Sequence, residues 1–313
     1  MESLLKHKIN EIESVCNQDI GRNIQALSAA TQGNLWQAAR SITNHPNPRV
    51  ALITGFFIPY GNPPAAETDG PVGTTQLAAC LTDLNIPVEV VTDSFCEEVV
   101  AEALKSIGIP EHVTLHAVPN KQNDALRFIN KQLNYRWFHS SYPISHIISI
   151  ERVGPAKDGI CRNMNGDDIS EWTAPLHQLF TGSSSAKLIA IGDGGNEIGM
   201  GALSLALIKQ NIHKGERIAC RTPCHYLIIA GISNWGALAL VAALTLLSPS
   251  LHRTFDLRKL VNREYKILRH LIEHGGAVDG VSGNPTMSVD GVHWQPYEKL
   301  VAKMLAIVAN TEV

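Results

Sequence analysis

Short apolar runs alternate with longer amphipathic segments along most of the chain. Six apolar runs have the length of buried strands: residues 50–58, 88–91, 113–118, 146–150, 188–191 and 226–232. The segments between and after them have helical spacing: residues 74–84, 96–107, 123–133, 172–180, 197–209, 235–247, 257–274 and 297–308. Strands that alternate with helices predict parallel βαβ units. We therefore expect an α/β fold, with a doubly wound, mostly parallel sheet flanked by helices on both faces.

A helical region precedes the first predicted strand. Apolar residues recur at helical spacing within residues 4–42, and a proline-containing breaker follows at residues 44–48. We expect residues 1–48 to form an N-terminal helical segment packed on the main domain. Residues 49–313 are expected to form a single α/β catalytic domain, because 44% of the chain is hydrophobic and can fill a large core.

Charge and cysteine usage exclude several classes of protein. The net charge is -3 and no long basic run occurs, so the sequence predicts no nucleic-acid partner. The six cysteines are scattered, which indicates a reducing compartment rather than a disulfide framework. The N-terminus carries acids and no apolar signal region, and the predicted location is cytoplasmic. Glycines interrupt the apolar stretch 227–247, so we expect a strand followed by a buried helix and no membrane span.

Four of the predicted strands lead into polar turns that contain glycine. These turns cover residues 67–74, 151–158, 193–197 and 233–236. In an open parallel sheet, ligands bind at the carboxyl ends of the strands. The four turns are therefore expected to lie at one edge of the sheet, with their polar groups close together.

The turn at residues 192–201 is predicted to be a strand-to-turn-to-helix corner at an active site. It lacks the dinucleotide-binding pattern GxGxxG, because Glu197 stands where the last glycine is needed. Its carboxylates, Asp193 and Glu197, would repel a pyrophosphate. They suit a ligand amine, a metal ion or proton transfer. The alternative is a tight turn whose polar side chains satisfy backbone groups.

Two further features could bind an anion. Gly73 and Thr74 suggest a helix start whose backbone N–H groups hold a carboxylate or phosphate, although an ordinary helix cap explains them equally well. Arg152 and Arg162 could each bind a substrate carboxylate through a guanidinium fork, or could form structural ion pairs.

Taken together, four segments resemble the D-glutamate cyclase family. They are Glu67-Thr-Asp-Gly-Pro-Val-Gly-Thr74, Glu151-Arg-Val-Gly-Pro-Ala156 with Arg162-Asn163 beyond it, Ile191-Gly-Asp-Gly-Gly-Asn-Glu-Ile-Gly-Met-Gly201, and Ser233-Asn-Trp-Gly236. The resemblance extends from about residue 48 to the end of the chain. It implies a carbon–oxygen lyase (hydro-lyase) that reversibly dehydrates D-glutamate to 5-oxo-D-proline.

This chemistry suggests roles for the residues of the turns. We expect catalysis by Asp193 and Glu197 near the substrate amine, with Glu67 or Asp69 as their partner. The expected substrate-binding residues are Arg152, Arg162, Asn163, Gly73, Thr74, Gly194, Gly195, Asn196, Ser233 and Asn234. Among these, Asn196, Asn234 and the turn N–H groups could stabilise an oxyanion.

Other functions remain open at this point. The sequence requires no cofactor, but a divalent metal (Mg or Mn) could be held by Asp193, Glu197 and Asp158. One alternative is a metal-dependent hydrolase of another lactam or amide, and another is a non-catalytic protein that binds an acidic amino acid. The expected partner is a small-molecule substrate, an acidic amino acid, and the sequence is compatible with a homo-oligomer.

Overall fold

A computed structural model describes residues 1–108, 113–181 and 185–312. The strands are β1 (Val50–Thr54), β2 (Phe57–Ile58), β3 (Ala65–Ala66), β4 (Val88–Asp93), β5 (Val113–Val118), β6 (His146–Ile150), β7 (Lys187–Gly192), β8 (Tyr226–Ile229), β9 (Ser288–Val289) and β10 (Val292–His293). Six of them form one sheet in the order β5-β4-β1-β6-β7-β8, and every neighbouring pair in it is parallel. The strands β2–β3 and β9–β10 form two separate antiparallel pairs.

Helices cover both faces of this sheet. They are α1 (Glu2–Cys16), α2 (Gln25–Thr31), α3 (Asn34–Thr43), α4 (Pro71–Asp83), α5 (Glu97–Ser106), α6 (Gln122–Phe128), α7 (Tyr135–Phe138), α8 (Gln178–Thr181), α9 (Leu205–Asn211), α10 (Gly215–Ile218), α11 (Ser233–Leu247), α12 (Pro249–Arg253), α13 (Leu257–His274) and α14 (Trp294–Ala309). A π-helical turn, Ile129–Asn134, joins α6 to α7.

Alternate residues of each central strand enter two different hydrophobic cores. In β1, Val50 and Leu52 belong to one core, and Ala51 and Ile53 belong to the other. This is the expected consequence of side chains that alternate across a strand. The α/β prediction of a parallel sheet with helices on both faces is confirmed.

The order of the strands creates a crevice at the middle of the sheet. From β1 the chain moves outward through β4 and β5, then returns to β6 on the other side of β1. Connections leave β1 and β6 in opposite directions, so the carboxyl ends of these two strands lie at the switch point where open α/β sheets bind ligands.

The strand predicted at residues 50–58 is wrong in its second half. β1 ends at Thr54, and Gly55 has a φ of +106°, a conformation that a β-strand does not contain. Phe57 and Ile58 then pair with Ala66 and Ala65 in a separate hairpin.

The helix predicted at residues 172–180 is also wrong. Only a 3-10 turn at Ser170–Trp172 and the short α8 are present. Pro175 lacks the N–H that a helix interior needs, and the carbonyl of Ala174 accepts a hydrogen bond from Arg152 instead of from a helical turn.

The helix predicted to begin at Glu197 begins only at Leu205. The intervening residues pair with neighbouring loops instead. Glu197 forms an isolated β-bridge with Val153, and Gly199 forms one with Pro223. Gly199 has a φ of +104°, and a Cβ at this position would lie 2.1 Å from the Cβ of Ala190. Positive φ at Gly199 therefore excludes a continuous helix, and the turn is a strand-to-loop corner.

The N-terminal helices lie directly against the helices and strands that follow. Both α1 and α3 contact α11, and α2 contacts β8. Buried Glu13 connects α1 to the start of α3. Its carboxylate accepts hydrogen bonds from the N–H groups of Gly33 (2.7 Å) and Leu35 (3.0 Å). The division into residues 1–48 and 49–313 stays a prediction.

Helix α11 is the most deeply buried helix near the crevice, with every residue from Ser233 to Leu246 in the interior. It has 15 residues and occupies the apolar stretch seen in the sequence. Across the described ranges, none of the helices has both the length and the apolar character that a membrane crossing requires.

A buried glutamate ties three helices together. Glu264 on α13 accepts a hydrogen bond from the side-chain amide of Gln76 on α4 and another from the hydroxyl of Tyr297 on α14, both at 2.7 Å. Burial raises the pKa of Glu264 to about 7, although these two hydrogen bonds act in the opposite direction.

This raised pKa predicts a pH-dependent stability. Folded protein keeps the Glu264 proton at a higher pH than unfolded protein does, so this contribution is fully present below about pH 4 and is lost as pH rises to 7. We expect Glu264→Gln, which cannot titrate, to gain about 2 kcal/mol over the wild type between pH 5 and pH 8. Urea unfolding at the two pH values measures this gain, and a pH-independent difference would contradict it.

Candidate active site

A cavity of about 400 Å³ opens at the carboxyl edge of the sheet. Its walls come from the segments that follow β1, β6 and β7, from the turn between β9 and β10, and from the loop between α1 and α2. Four carboxylates line it: Glu67, Glu151, Asp193 and Asp290. Among the described residues, Arg22 is the single lysine or arginine in this lining.

Arg22 lies between two of these carboxylates. One of its terminal nitrogens pairs with Asp193, and the other lies 2.9 Å from Asp290 Oδ1. Asp19 shapes the loop that carries it, because the Asp19 carboxylate accepts hydrogen bonds from the N–H groups of Arg22 (2.7 Å) and Asn23 (2.9 Å). The N-terminal region thus supplies the positive charge of the cavity.

Each aspartate that pairs with Arg22 keeps one free oxygen. Asp193 Oδ2 and Asp290 Oδ2 are buried and have no hydrogen-bond partner among the described residues. Asp193 is 1% exposed and Asp290 is 8% exposed. Buried polar atoms are normally paired, so these two oxygens are sites at which a ligand, an ion or a proton would be stabilised.

Burial raises the pKa values of the carboxyl groups around Arg22. It is the main cause of the raised pKa at Glu67, Asp69, Glu151 and Asp193, while neighbouring carboxylates add to the shift and Arg22 opposes it. These groups hold protons at a pH at which exposed carboxyls are ionised. A cluster of this kind can supply both an acid and a base for catalysis.

Glu151 occupies the end of β6 in an unusual conformation. Its φ is +44°, and its carboxylate accepts a hydrogen bond of 2.6 Å from the hydroxyl of Ser233. A residue other than glycine at positive φ is uncommon and requires support from its surroundings. Here the backbone turns so that Glu151 enters the cavity, and Ser233 orients its carboxylate.

Glu197 holds the turn together rather than lining the cavity. Its carboxylate accepts hydrogen bonds from the N–H groups of Asp193 (2.8 Å), Gly194 and Gly195 (2.7 Å). Gly195 has a φ of +98°, as such a tight turn requires. Glu197 therefore fixes the backbone from which Asp193 projects.

Asp69 and Asn234 cap each other's helices. The Asp69 carboxylate accepts hydrogen bonds from the N–H groups of Ser233 (2.8 Å) and Asn234 (2.7 Å) at the start of α11. In return, Asn234 Oδ1 accepts hydrogen bonds from the N–H groups of Gly70 (2.9 Å) and Gly73 (2.8 Å) at the start of α4. These contacts satisfy N–H groups that a helix start leaves unpaired.

The predicted anion site at Gly73 and Thr74 does not have the expected geometry. Helix α4 begins at Pro71, earlier than predicted, and Thr74 is buried inside it. The Gly73 N–H already donates to Asn234, and a Cβ at Gly73 would lie 2.7 Å from the Cβ of Ala237 on α11. Gly73 permits the close approach of two helices.

The two predicted carboxylate-binding arginines form ion pairs. Arg152 is 1% exposed, pairs with Asp93 at 2.6 Å, and donates to the carbonyls of Gly55 (2.7 Å) and Ala174 (2.8 Å). Arg162 pairs with Asp158 at 2.6 Å. The cavity lining contains neither arginine.

The structure brings part of the predicted set together. Four predicted residues line the cavity: Glu67, Asp193, Asn163 and Asn196. The other predicted residues are not part of that lining: Asp69, Glu197, Arg152, Arg162, Gly73, Thr74, Gly194, Gly195, Ser233, Asn234 and Asp158. Asn196 donates to the carbonyl of Arg162 (2.8 Å), which holds its side chain in place.

Sequence reasoning missed three charged residues of the lining, Asp290, Glu151 and Arg22. Asp290 had a local signal, because Asp290-Gly291 joins two β-strands and both residues have positive φ, +53° and +77°, as in a two-residue hairpin turn. Glu151 had none, because it follows the last residue of β6 and its φ of +44° breaks the alternation of a strand. Arg22 had none.

Carboxylate oxygens in the cavity are close enough to share a cation. One oxygen each from Asp69, Asp193 and Asp290 lie within 4.8 Å of one another, and the same holds for Glu151, Asp193 and Glu197. Oxygen ligands of this kind suit hard divalent cations. Asp158, a predicted metal ligand, belongs to neither group.

Fold and cavity together define a doubly wound α/β protein with a carboxylate-lined site at its switch point. Residues 12–305 match the model of the family "D-glutamate cyclase-like, C-terminal", and the chain belongs to this family. The match begins before α2, so Arg22 lies inside it, whereas the sequence motifs extended only from about residue 48.

A curated human protein is similar to the chain. It is "D-glutamate cyclase, mitochondrial" from Homo sapiens, with 30% identity over 326 residues, 95% of this chain and 51% of that protein. The chain thus spans about half the length of this relative. The resemblance seen in the four turns is confirmed at the level of the family.

The contacts of Arg152 predict a structural role for it. Arg152→Met leaves Asp93 buried without its partner, which typically costs about 3–5 kcal/mol of unfolding free energy. Urea unfolding measures this loss, and the double variant Arg152→Met with Asp93→Leu should recover part of it. A stable Arg152→Met protein with weakened substrate binding would instead support the role predicted from the sequence.

Proposed function

We infer that the cavity catalyses the reversible conversion of D-glutamate to 5-oxo-D-proline with release of water. The observation that carries this inference is the group of buried carboxyls with raised pKa values around Arg22, in a chain of the D-glutamate cyclase-like family. Such a group can move protons between two ends of one small substrate.

The reaction requires proton transfer at both ends of the substrate. The ammonium group of D-glutamate loses two protons as its nitrogen forms a bond to the side-chain carboxyl carbon. One oxygen of that carboxyl leaves as water and takes up two protons. No net proton is consumed, so a base near the amine and an acid near the leaving oxygen suffice.

Glu67 and Glu151 are the proposed proton carriers. Both line the cavity, and burial raises the pKa of each. Within the described residues, the Glu67 carboxylate makes no hydrogen bond or ion pair, so it is available to a substrate. Glu151 is oriented by Ser233. An ionised member of the pair accepts the amine proton while a protonated member donates to the leaving oxygen.

Arg22 is the proposed anchor for the α-carboxylate, in place of Arg152 and Arg162. A guanidinium binds a carboxylate in a planar, bidentate manner. Asp193 then acts by positioning Arg22, rather than as the base expected from the sequence. Asn163 and Asn196 lie in the same lining and could donate hydrogen bonds to a tetrahedral oxyanion. Holding the two reacting ends together can lower the barrier by about 7–11 kcal/mol.

The proton-transfer role of Glu67 is tested by Glu67→Gln. The amide keeps the shape of the side chain but cannot carry the proton, so kcat should fall by about 10²–10⁴-fold with a small change in KM. Chiral chromatography of D-glutamate and 5-oxo-D-proline measures both directions. Glu264→Gln is the matched control, because it neutralises another buried glutamate with a raised pKa outside the cavity and should keep kcat.

The wild-type chain decides between the functions. Interconversion of D-glutamate and 5-oxo-D-proline supports the cyclase, and its absence with EDTA, Mg²⁺ and Mn²⁺ alike would refute it. Hydrolysis of a different lactam or amide, or binding of D-glutamate without turnover, would support one of the two alternatives. A Glu67→Gln variant with wild-type kcat would place proton transfer on another group.

A further inference from the structure

The segment of residues 278–291, which follows α13, forms one wall of the cavity. Its members in the cavity lining are Gly280, Val281, Ser282, Gly283 and Asp290. An isolated parallel β-bridge joins Val278 to Glu67. We propose that Asp279 is a positioning residue that holds this wall, through Gly280, against the carboxyl group of Glu67. The inference rests on the proposed function, in which Glu67 carries a proton.

Asp279 joins the two ends of the wall. Its side chain is fully buried. Asp279 Oδ1 accepts hydrogen bonds from the N–H groups of Val281 (3.0 Å) and Ser282 (2.7 Å), and Oδ2 accepts one from the N–H group of Gly291 (2.8 Å). One carboxylate thus connects the turn that follows Gly280 to the turn that carries Asp290.

Asp279 differs from the carboxyl groups of the cavity in its pKa. Burial acts to raise the pKa of Asp279, but hydrogen bonds from the N–H groups of Ser282 and Gly291 lower it below its usual value. An ionised carboxylate accepts all three hydrogen bonds. An asparagine at this position has a single acceptor oxygen, and its NH₂ group would face an N–H donor.

Gly280 lies against the carboxyl group of Glu67. A Cβ at position 280 would overlap Glu67 Oε2 and lie 3.3 Å from Asp290 Oδ1. Among the described residues, the Glu67 carboxyl has no hydrogen bond or ion pair. Contact with Gly280, rather than a polar partner, therefore limits where this carboxyl stands.

Thr68 fixes the wall to the segment that carries Glu67. Its N–H group donates to the carbonyl of Val278 (2.9 Å), and its hydroxyl donates to the carbonyl of Ser288 (3.0 Å). Gly280 lies between these two attachment points along the chain. A shift of Gly280 would therefore change its distance from the Glu67 carboxyl rather than move both together.

The position of the Glu67 carboxyl matters because proton transfer requires hydrogen-bond reach of the reacting atom. A misplacement of about 1 Å can cost about 10²-fold in rate. Asp279 touches no substrate in this arrangement, and its influence on the reaction passes through Gly280 to Glu67.

The contact between Gly280 and Glu67 is tested by Gly280→Ala. The added methyl group meets the free end of a flexible side chain, so the variant should fold with the Tm of the wild type while the Glu67 carboxyl moves. We expect kcat for D-glutamate cyclisation to fall about 10–100-fold with little change in KM. A raised KM with wild-type kcat would overturn the proposal, because residue 280 would then only limit the space for substrate.

The role of Asp279 is tested by Asp279→Asn in two backgrounds. We expect kcat to fall about tenfold in the wild type and to change little in Glu67→Gln, because a residue that acts through Glu67 loses its influence once Glu67 cannot carry a proton. Equal losses in both backgrounds would mean that Asp279 only stabilises the fold. Asp256→Asn is the matched control, because Asp256 accepts two backbone hydrogen bonds outside the cavity lining and should keep kcat.

NMR separates a failure of this inference from a failure of the proposed function. In the full chain labelled with ¹³C at glutamate side-chain carboxyls, the Glu67 signal is the one that Glu67→Gln lacks. Gly280→Ala and Asp279→Asn should each shift this signal, and Asp256→Asn should not. An unshifted Glu67 signal in both variants would overturn the positioning role, whether or not the chain converts D-glutamate.

Discussion

The burial of several carboxylates around one guanidinium is the constraint on which the rest of this structure depends. Glu67, Glu151, Asp193 and Asp290 surround Arg22 in a cavity that removes them from bulk water. Desolvation and mutual repulsion both disfavour the charged forms of Glu67, Glu151 and Asp193. A fold maintains such a group only when its surroundings are rigid, and functional sites commonly keep local arrangements that reduce stability.

The surroundings of the cavity supply that rigidity through paired elements. Asp69 caps α11 while Asn234 caps α4, so the two helices that begin at the switch point are fixed relative to each other. Glu197 closes the turn that carries Asp193. Each of these side chains is satisfied by backbone N–H groups, so its carboxylate or amide oxygen serves the structure of the site rather than facing open space.

Residue type alone does not assign these roles. Asp69 and Glu197 are acidic and buried, as Glu67 and Glu151 are, yet the first two stabilise helix starts and turns and the second two face open space. Arginines differ in the same way, because Arg152 is buried against Asp93 while Arg22 reaches the cavity. What separates the roles is the set of partners that each side chain finds, and those partners come from distant segments.

The sequence by itself determined the parallel α/β sheet and the edge at which its polar turns meet, because apolar runs, helical spacing and strand direction are local or follow from topology. The bounds of β5, β6 and α13 agree with the prediction for the same reason. Only the tertiary structure decided which polar side chains enter the cavity. A single φ of +44° turns Glu151 inward, and a loop from the N-terminal helices carries Arg22 across to the end of β7. Both depend on packing between segments far apart in the chain, which no local pattern encodes.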